Sequence, residues 1–345
     1  MNQRDVFSNA PEDSIVIIDG DWLAFLVSSA LEKKSVKVYD ENHVFVKEYK
    51  NRTKYKEDKK NYNPNFVIED SQSLPSNYKA TMAFLFKKQI QGFLSATNCK
   101  DYLLALGGPT NFRNDLNLPR PYKGSRKDAI KPISLYEVRD FAAQNFNCIF
   151  SEGEEADDLL SKYQFTSYKD RTKRYVACTL DKDARGTPGY LYNPNENRMM
   201  FIEGLGFLSR NPKETASGSK IYKFYGEGRK WFYSQLLTGD KADDYYPCDI
   251  YKQITDNPSK SPIITDLKCF NLLKDCESDR ECWKVIVDVY KDWYKDVESW
   301  TNWQGNTIKG NWTDILQVYV DVVHMRRFDN DRVDVKSVLT KFELI

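Results

Sequence analysis

Residues 152–158 read EGEEADD and run on as LLSKY, so five of seven consecutive positions are acidic. The whole chain carries 51 basic against 50 acidic residues, a net charge of +1, so the crowding is local. Carboxylates packed together raise one another's pKa and oppose the fold unless something holds their charge. Read as a helix start at about 100° per residue, the stretch places Ala156, Leu159, Leu160 and Tyr163 on one apolar stripe. Glu155 and Asp158 then lie about 60° apart on one flank, with Asp157 across the stripe. Acids in a first turn also complement the helix dipole, which accounts for any one of them alone.

The surroundings extend the pattern. Four short apolar runs read as buried strands: SIVIID (14–19), YLLALG (102–107), NCIFSE (147–152) and RYVACTLD (174–181). Helix-like segments lie between them, including YKATMAFLFKKQIQGFL (78–94) and ISLYEVRDFAAQNF (133–146). This alternation predicts an α/β fold with a mostly parallel central sheet flanked by helices. Functional groups of such sheets collect at the carboxyl ends of strands. Three of the four runs end in acid: Asp19, then Glu152 leading to Glu155, Asp157 and Asp158, then Asp181 with Asp183. Clustered oxygen ligands without His or Cys select hard cations, Mg²⁺ or Mn²⁺. Such cations bind phosphate oxygens and activate water.

Composition narrows the alternatives. Only His43 and His324 are present, which disfavours histidine metal sites and Ser/His triads. The seven cysteines form no CxxC pair, and their odd number fits a reducing cytoplasm. No apolar run is long enough to cross a bilayer, and the first residues do not read as a signal peptide, so no membrane partner is expected. GLGFLS (204–209) lacks a third glycine and no P-loop is present, so no nucleotide cofactor is expected.

The expected organisation is an α/β core over residues 1–220 and a helical, DNA-binding C-terminal region over 221–345. Segment 35–77 reads as an insertion, either a solvated loop or hairpin or a DNA-contacting arm. Segment 111–132, NFRNDLNLPRPYKGSRKDAIKP, is basic: Arg113, Arg120, Lys123, Arg126, Lys127 and Lys131 face only Asp115 and Asp128. Lys123 and Arg126 are three apart and would share a helix face. Alone this is a solvated basic face; beside an acidic metal site it reads as a phosphate clamp.

The order IDGDWLAF, NFR…YKGSR, EADD, LDKD, LTGDKADD resembles that of the 5′ nuclease family, the flap endonucleases and bacteriophage 5′→3′ exonucleases, and is most similar to the exonucleases of short-tailed coliphages. The resemblance runs from about residue 14 to 250. It implies a nuclease core with a helical arch over 111–132. It also implies Mg²⁺- or Mn²⁺-dependent hydrolysis of DNA from or near a 5′ end, at duplex ends, nicks or flaps, in phage replication or recombination in the host cytoplasm. On this resemblance Asp19, Glu155, Asp157, Asp158, Asp181, Asp183, Asp240 and Asp243 hold one or two metal ions, and Lys123 and Arg126 act on the scissile phosphate. Arg113, Arg120, Lys127 and Lys131 would contact DNA, and a K⁺ ion would sit in the C-terminal region. Two departures stand out. The second strand of the family ends in Asp, where this chain has Gly107 and Gly108; and its glycine-rich hairpin after GDxxD is replaced by YYPCDIYKQI. A DNA-binding protein that has lost catalysis, and a metal-dependent RNA nuclease, are the alternative readings.

Overall fold

The computed structural model of the chain describes residues 13–214, 218, 220–255 and 262–345. In chain order the elements are β1 (Ile15–Asp19), α1 (Gly20–Leu31), β2 (Lys33–Tyr39), β3 (Phe45–Tyr49), α2 (Arg52–Asp58), β4 (Val67–Ser73), α3 (Tyr78–Thr97), β5 (Asp101–Leu106), α4 (Leu135–Asn145), β6 (Cys148–Phe150), α5 (Ala156–Lys169) and β7 (Tyr175–Cys178). They continue as β8 (Gly189–Asn193), β9 (Arg198–Ile202), β10 (Phe207–Glu214), β11 (Lys220–Glu227), α6 (Arg229–Thr238), α7 (Tyr251–Ile254), α8 (Asp266–Leu273), α9 (Asp279–Tyr294), β12 (Ser299–Thr301), β13 (Thr307–Lys309), α10 (Trp312–Val323) and α11 (Val335–Lys341). The described residues divide into two compact units, one drawn from 13–19, 93–129 and the chain from 149 on, the other of 20–92 and 130–148.

In the larger unit six strands form one sheet in the order β6-β5-β1-β7-β8-β9. β1 runs parallel to β5 and to β7, and β7 parallel to β8; β9 is antiparallel at the edge. The expected fold class, a mostly parallel sheet flanked by helices, is the one observed. β1 and its neighbours are apolar on both faces because both are covered, so Val16, Ile17, Ile18, Leu104 and Ala177 are fully buried. The strand order reverses between β1 and β7: the chain builds outward from β1 through β5 to β6, then returns to add β7 on the other side. Such a switch point leaves a crevice at the carboxyl ends of the two strands. α5 covers one face here. Ala156 and Leu160 enter a core with Ile17, Ala105, Ala177 and Leu191, and Leu159 and Tyr163 pack against it, as the apolar stripe predicts.

The C-terminal helices have their own core of Leu236, Cys269, Ile286, Tyr290, Leu316 and Tyr319, which also takes in Leu118 and Tyr122 of the basic segment. That segment is not the expected α-helix. It holds two 3₁₀ turns, Phe112–Asp115 and Gly124–Asp128. Pro119, Pro121 and Pro132 remove backbone donors, and Lys123 at φ 54° breaks any continuous right-handed helix.

In the smaller unit, most of the expected insertion is neither loop nor simple hairpin. β3, β2 and β4 form a three-stranded antiparallel sheet, with β2 in the middle. Val36 and Val38 alternate onto one face and are buried with Tyr49 and Tyr55, against Tyr62 and Phe66. Among the described residues no helix is long and apolar enough to cross a membrane, and all seven cysteines are free thiols.

Candidate metal centre

The acids gather at the β1/β7 switch point. Asp19 is the last residue of β1, and Asp181 follows β7 by three residues. The Thr179 hydroxyl ties the two strand ends together: it donates to Asp19 Oδ2 at 3.2 Å and accepts from the Asp181 backbone at 3.0 Å. Asp181 Oδ1 in turn accepts the Asp183 backbone N–H at 2.8 Å, which fixes the short turn LDKD. Asp240 and Asp243 arrive from the end of α6. Gly239 makes this possible, with φ +71° and its Cα so close to the Tyr245 carbonyl that a Cβ would lie 2.3 Å from the oxygen. Asp240 and Tyr245 then close a tight turn, and Asp240 Oδ1 caps it by accepting from Ala242 N at 2.7 Å.

Carboxylate oxygens of Asp183, Asp240 and Asp243 all lie within 4.8 Å of one another. Burial, then the charges of Asp181, Asp240 and Asp243, push the Asp183 carboxyl well above its ordinary range. Asp157 is pushed up in the same way by burial and by Asp181 and Asp19. Asp181 thus stands between two groups of acids, one with Asp19 and Asp157, the other with Asp183, Asp240 and Asp243. A site of hard oxygen donors that raise one another's pKa is what a divalent cation relieves, so the donor set fits Mg²⁺ or Mn²⁺.

Cations of the chain line the same place. Lys123 Nζ contacts Glu155 Oε1 at 2.5 Å and Asp243 Oδ1 at 3.8 Å. Arg126 contacts Asp243 Oδ1 at 2.7 Å and donates to the Ala242 carbonyl at 3.1 Å. The left-handed backbone of Lys123, with its N–H on the Asp243 carbonyl at 2.9 Å, turns both side chains toward the acids. Burial works against the charge on Lys123, yet Glu155, Asp243 and Asp157 hold its pKa up.

No protein-family model matches the sequence, and no curated protein matches it. Among solved structures the chain is similar to a bacteriophage T5 protein co-crystallised with metal ions, at 13% identity and a TM-score of 0.46 over 95% of this chain and 96% of the other. It is similar to a T5 5′-exonuclease mutant at 13% identity and a TM-score of 0.42, over 96% of each chain. It is also similar to the T5 flap endonuclease in a complex with DNA and metal ions, at 13% identity and a TM-score of 0.39, over 96% of this chain and 99% of the other. Likenesses of this size decide nothing about chemistry, and the centre stands on its own geometry.

Two expected site residues are engaged elsewhere. Asp158 is fully buried, and receives Arg113 Nη1 at 2.6 Å, Arg113 Nη2 at 3.0 Å, Glu155 N at 3.0 Å and Arg326 N at 3.0 Å. Burial alone would raise its pKa; the guanidinium and the backbone donors outweigh it and hold the carboxyl below its usual range. Arg113, expected at DNA, is 1% exposed, and also donates to the Val322 and His324 carbonyls at 3.0 Å each. The pair is a buried staple between the basic segment, α5 and the end of α10. Glu155 caps the start of α5 and binds Lys123 and Tyr122. Arg120 is paired with Asp249 at 2.6 Å. Lys127 and Lys131 are exposed.

Sequence reasoning passed over two residues inside its own motifs. Lys182, in LDKD, places Nζ 2.9 Å from Asp240 Oδ2. Tyr122, in PYKGSR, is buried with its hydroxyl 2.8 Å from Glu155 and 2.9 Å from Asp243. Their positions beside acids and bases were the available signal. Gly108 has a packing role: a Cβ there would lie 2.0 Å from the Ser151 carbonyl oxygen. Its N–H donates to Ser151 Oγ at 2.8 Å, so the absent side chain lets the turn before α5 close over β5.

Proposed function

We propose that the chain is a divalent-metal-dependent nuclease that hydrolyses phosphodiesters of DNA from or near 5′ ends. One observation carries the reading: four separated segments, IDGD, EADD, LDKD and LTGDKADD, converge at a parallel-sheet switch point with Lys123 and Arg126 against them. The motif order adds the 5′ polarity and the DNA substrate. Asp19, Asp157 and Asp181 would hold one cation, and Asp181, Asp183, Asp240 and Asp243 a second. A cation so held supplies positive charge to the phosphoryl group and makes water acidic enough to attack at neutral pH.

The chain's own groups do the rest. Arg126, whose side chain is 51% exposed, and Lys123 leave Asp243 and Glu155 to donate to the non-bridging phosphate oxygens. There they stabilise the charge that grows as water adds to phosphorus and the bond to the leaving oxygen breaks. Tyr122 and Lys182 hold Glu155, Asp243 and Asp240 in place while the basic side chains exchange partners. Arg120, Lys127 and Lys131 are candidates for steering the backbone, with the helical C-terminal region as further DNA contact.

A second reading, a nucleic-acid-binding protein without catalysis, is favoured by one feature. Glu155, Asp243 and Asp240 already have cation partners within the chain. The two readings part on one assay. Single-stranded, duplex, nicked and flap DNAs labelled at the 5′ or 3′ end are incubated with Mg²⁺ or with EDTA. The nuclease releases short 5′-derived products with Mg²⁺ and none with EDTA; binding without cleavage on every substrate supports the second reading. In the nuclease, Lys123→Ala and Arg126→Ala each slow single-turnover cleavage roughly ten- to a thousandfold, about 1.4–4 kcal/mol of transition-state stabilisation. A loss confined to binding would make them steering groups only.

A further inference from the structure

The insertion's sheet has a polar face that the centre does not use. Val36 and Val38 fill the other face, so by alternation Lys33, Ser35, Lys37 and Tyr39 of β2 share this one. Cross-strand register adds Ser73 opposite Lys33, Ser71 opposite Ser35, Glu48 and Glu69 on either side of Lys37, and Phe45 opposite Tyr39. A groove of about 840 Å³ runs over this face, lined by Lys33, Lys34, Lys37 and Lys50 and by several serine hydroxyls. Glu32 and Glu48 line it as well, against the four lysines. Glu32 takes Lys34 at 3.4 Å and Gln72, and Glu48 takes the Ser35 hydroxyl. Lys33, Lys37 and Lys50 make no ion pair among the described residues. The row ends in aromatics: Tyr39 and Phe45 meet edge to face at 6.0 Å between ring centroids, and Phe45 is 54% exposed.

We propose that this face of the β3-β2-β4 sheet binds single-stranded nucleic acid, with Lys33, Lys37 and Lys50 on successive phosphates and a base stacked on Phe45. The chemistry is specific to that ligand class. Ammonium groups and hydroxyls are the side chains that contact phosphate oxygens. Lys33 and Lys37 stand four residues apart on one strand, about 13 Å, a reach that follows an extended backbone over several phosphates. A protein partner would want an apolar centre to the patch; here the centre is Lys37 between Glu48 and Glu69, with Ser35 and Ser71 beside it, and the exposed aromatic ring is at the end. Positive groove plus stacking ring is the arrangement that holds an unpaired strand without reading its sequence.

The test uses the full chain in EDTA, where a metal-dependent centre is silent. Fluorescence anisotropy follows a labelled oligothymidylate at several salt concentrations. The triple variant Lys33→Gln, Lys37→Gln, Lys50→Gln weakens binding at least tenfold and flattens the slope of log K against log salt by about 2, for three lost phosphate contacts. Phe45→Ala weakens it about five- to a hundredfold, the range for one stacked base, and leaves the salt slope unchanged. Both variants keep the wild-type melting temperature within a few degrees, since the mutated side chains point to solvent. The proposal is overturned if the triple variant keeps both affinity and slope, if Phe45→Ala binds as wild type, or if polyglutamate displaces the oligonucleotide as well as unlabelled oligothymidylate does. Cleavage is not read, so an inactive chain can pass this test and an active nuclease can fail it.

Discussion

Asp157 and Asp158 are adjacent in the first turn of α5, and their surroundings are opposite. Asp158 turns into the core and meets Arg113 in a bidentate pair, with two backbone donors completing its shell. Asp157 turns to the switch point, where the charges of Asp181 and Asp19 act on it. Burial penalises the charge of both. In one case the chain supplies the compensating cation and the carboxyl stays ionised with ease; in the other it supplies further carboxylates and the charge is left in excess. A buried acid with its own arginine is a fastening. A half-buried acid among acids is a place kept for something outside the chain.

The largest effect is expected from Asp157→Ala. If Asp157 holds a cation needed for hydrolysis, several kcal/mol of charge stabilisation is lost, and single-turnover cleavage in saturating Mg²⁺ falls roughly 10²–10⁴-fold. The variant folds at least as well as wild type, because a repelled carboxylate has been removed. Near-normal turnover at low Mg²⁺ would take Asp157 out of the centre.

The same change one residue later acts on stability. Asp158→Asn leaves the buried Arg113 guanidinium with only Glu155, at 3.5 Å, as a counter-charge, so the urea midpoint should fall by the equivalent of about 3 kcal/mol at unchanged slope. The pH dependence has a definite sign. The folded-state pKa of Asp158 is depressed, so its contribution is fully present above the unfolded value of about 3.9 and is lost as pH falls through the lower folded value. The variant should therefore show a shallower loss of stability below about pH 4 than wild type does. A variant as stable as wild type would mean that Arg113 finds other partners, and that the fastening is replaceable.

The split between these neighbours marks how far the sequence could be read. Strand ends and the apolar stripe of α5 were legible because burial imposes a period on the residues: SIVIID, RYVACTLD and Ala156/Leu160 all sit where their pattern put them. The gathering of acids was legible too, since a parallel sheet brings the carboxyl ends of its strands to one edge. Which acid receives a cation from inside the chain was not, because Arg113 and Asp158 are 45 residues apart and meet only through the tertiary fold. The basic segment misled for a local reason: charge at three-residue spacing resembles a helix face, while the prolines around it and a left-handed Lys123 make 3₁₀ turns instead. The insertion misled by its polarity. KEYKNRTKYKEDKKNY looks solvated throughout, yet Tyr49, Tyr55 and Tyr62 supply a small core that propensity for charge conceals.

Gly108 acts on the same turn from the backbone side. The motif order places an acid at this strand end, and on sequence grounds Gly108→Asp would restore a ligand and lower the Mg²⁺ requirement. The structure gives the opposite expectation. Any Cβ would lie 2.0 Å from the Ser151 carbonyl, on the turn that delivers Glu155 and Asp157. Gly108→Ala and Gly108→Asp should therefore both lose stability, by about 1–3 kcal/mol for overpacking, and both should need more Mg²⁺. Gly108→Ala isolates the steric effect from the charge. If it melts as wild type and Gly108→Asp cleaves at lower Mg²⁺, the turn yields and the strand end is a ligand position after all.

The smallest expected effect runs against the usual direction of a mutation. Burial and three neighbouring acids oppose ionisation of the Asp183 carboxyl. Asn is nearly isosteric and still accepts the hydrogen bond that Gln235 Nε2 gives to Oδ1 at 2.6 Å. Asp183→Asn should then be slightly more stable than wild type in EDTA, because the repulsion that opposes the carboxylate is relieved. Divalent cation reverses the order. A ligand that binds only the folded state stabilises it by mass action, so the wild-type melting temperature climbs as Mg²⁺ is added. The variant, with one donor fewer in the Asp183, Asp240, Asp243 group, climbs less, and the two curves converge or cross. If Asp183→Asn is instead the less stable protein in EDTA, Lys182 and Gln235 already balance that carboxylate, and the difference between the two sides of the site is smaller than their geometry implies.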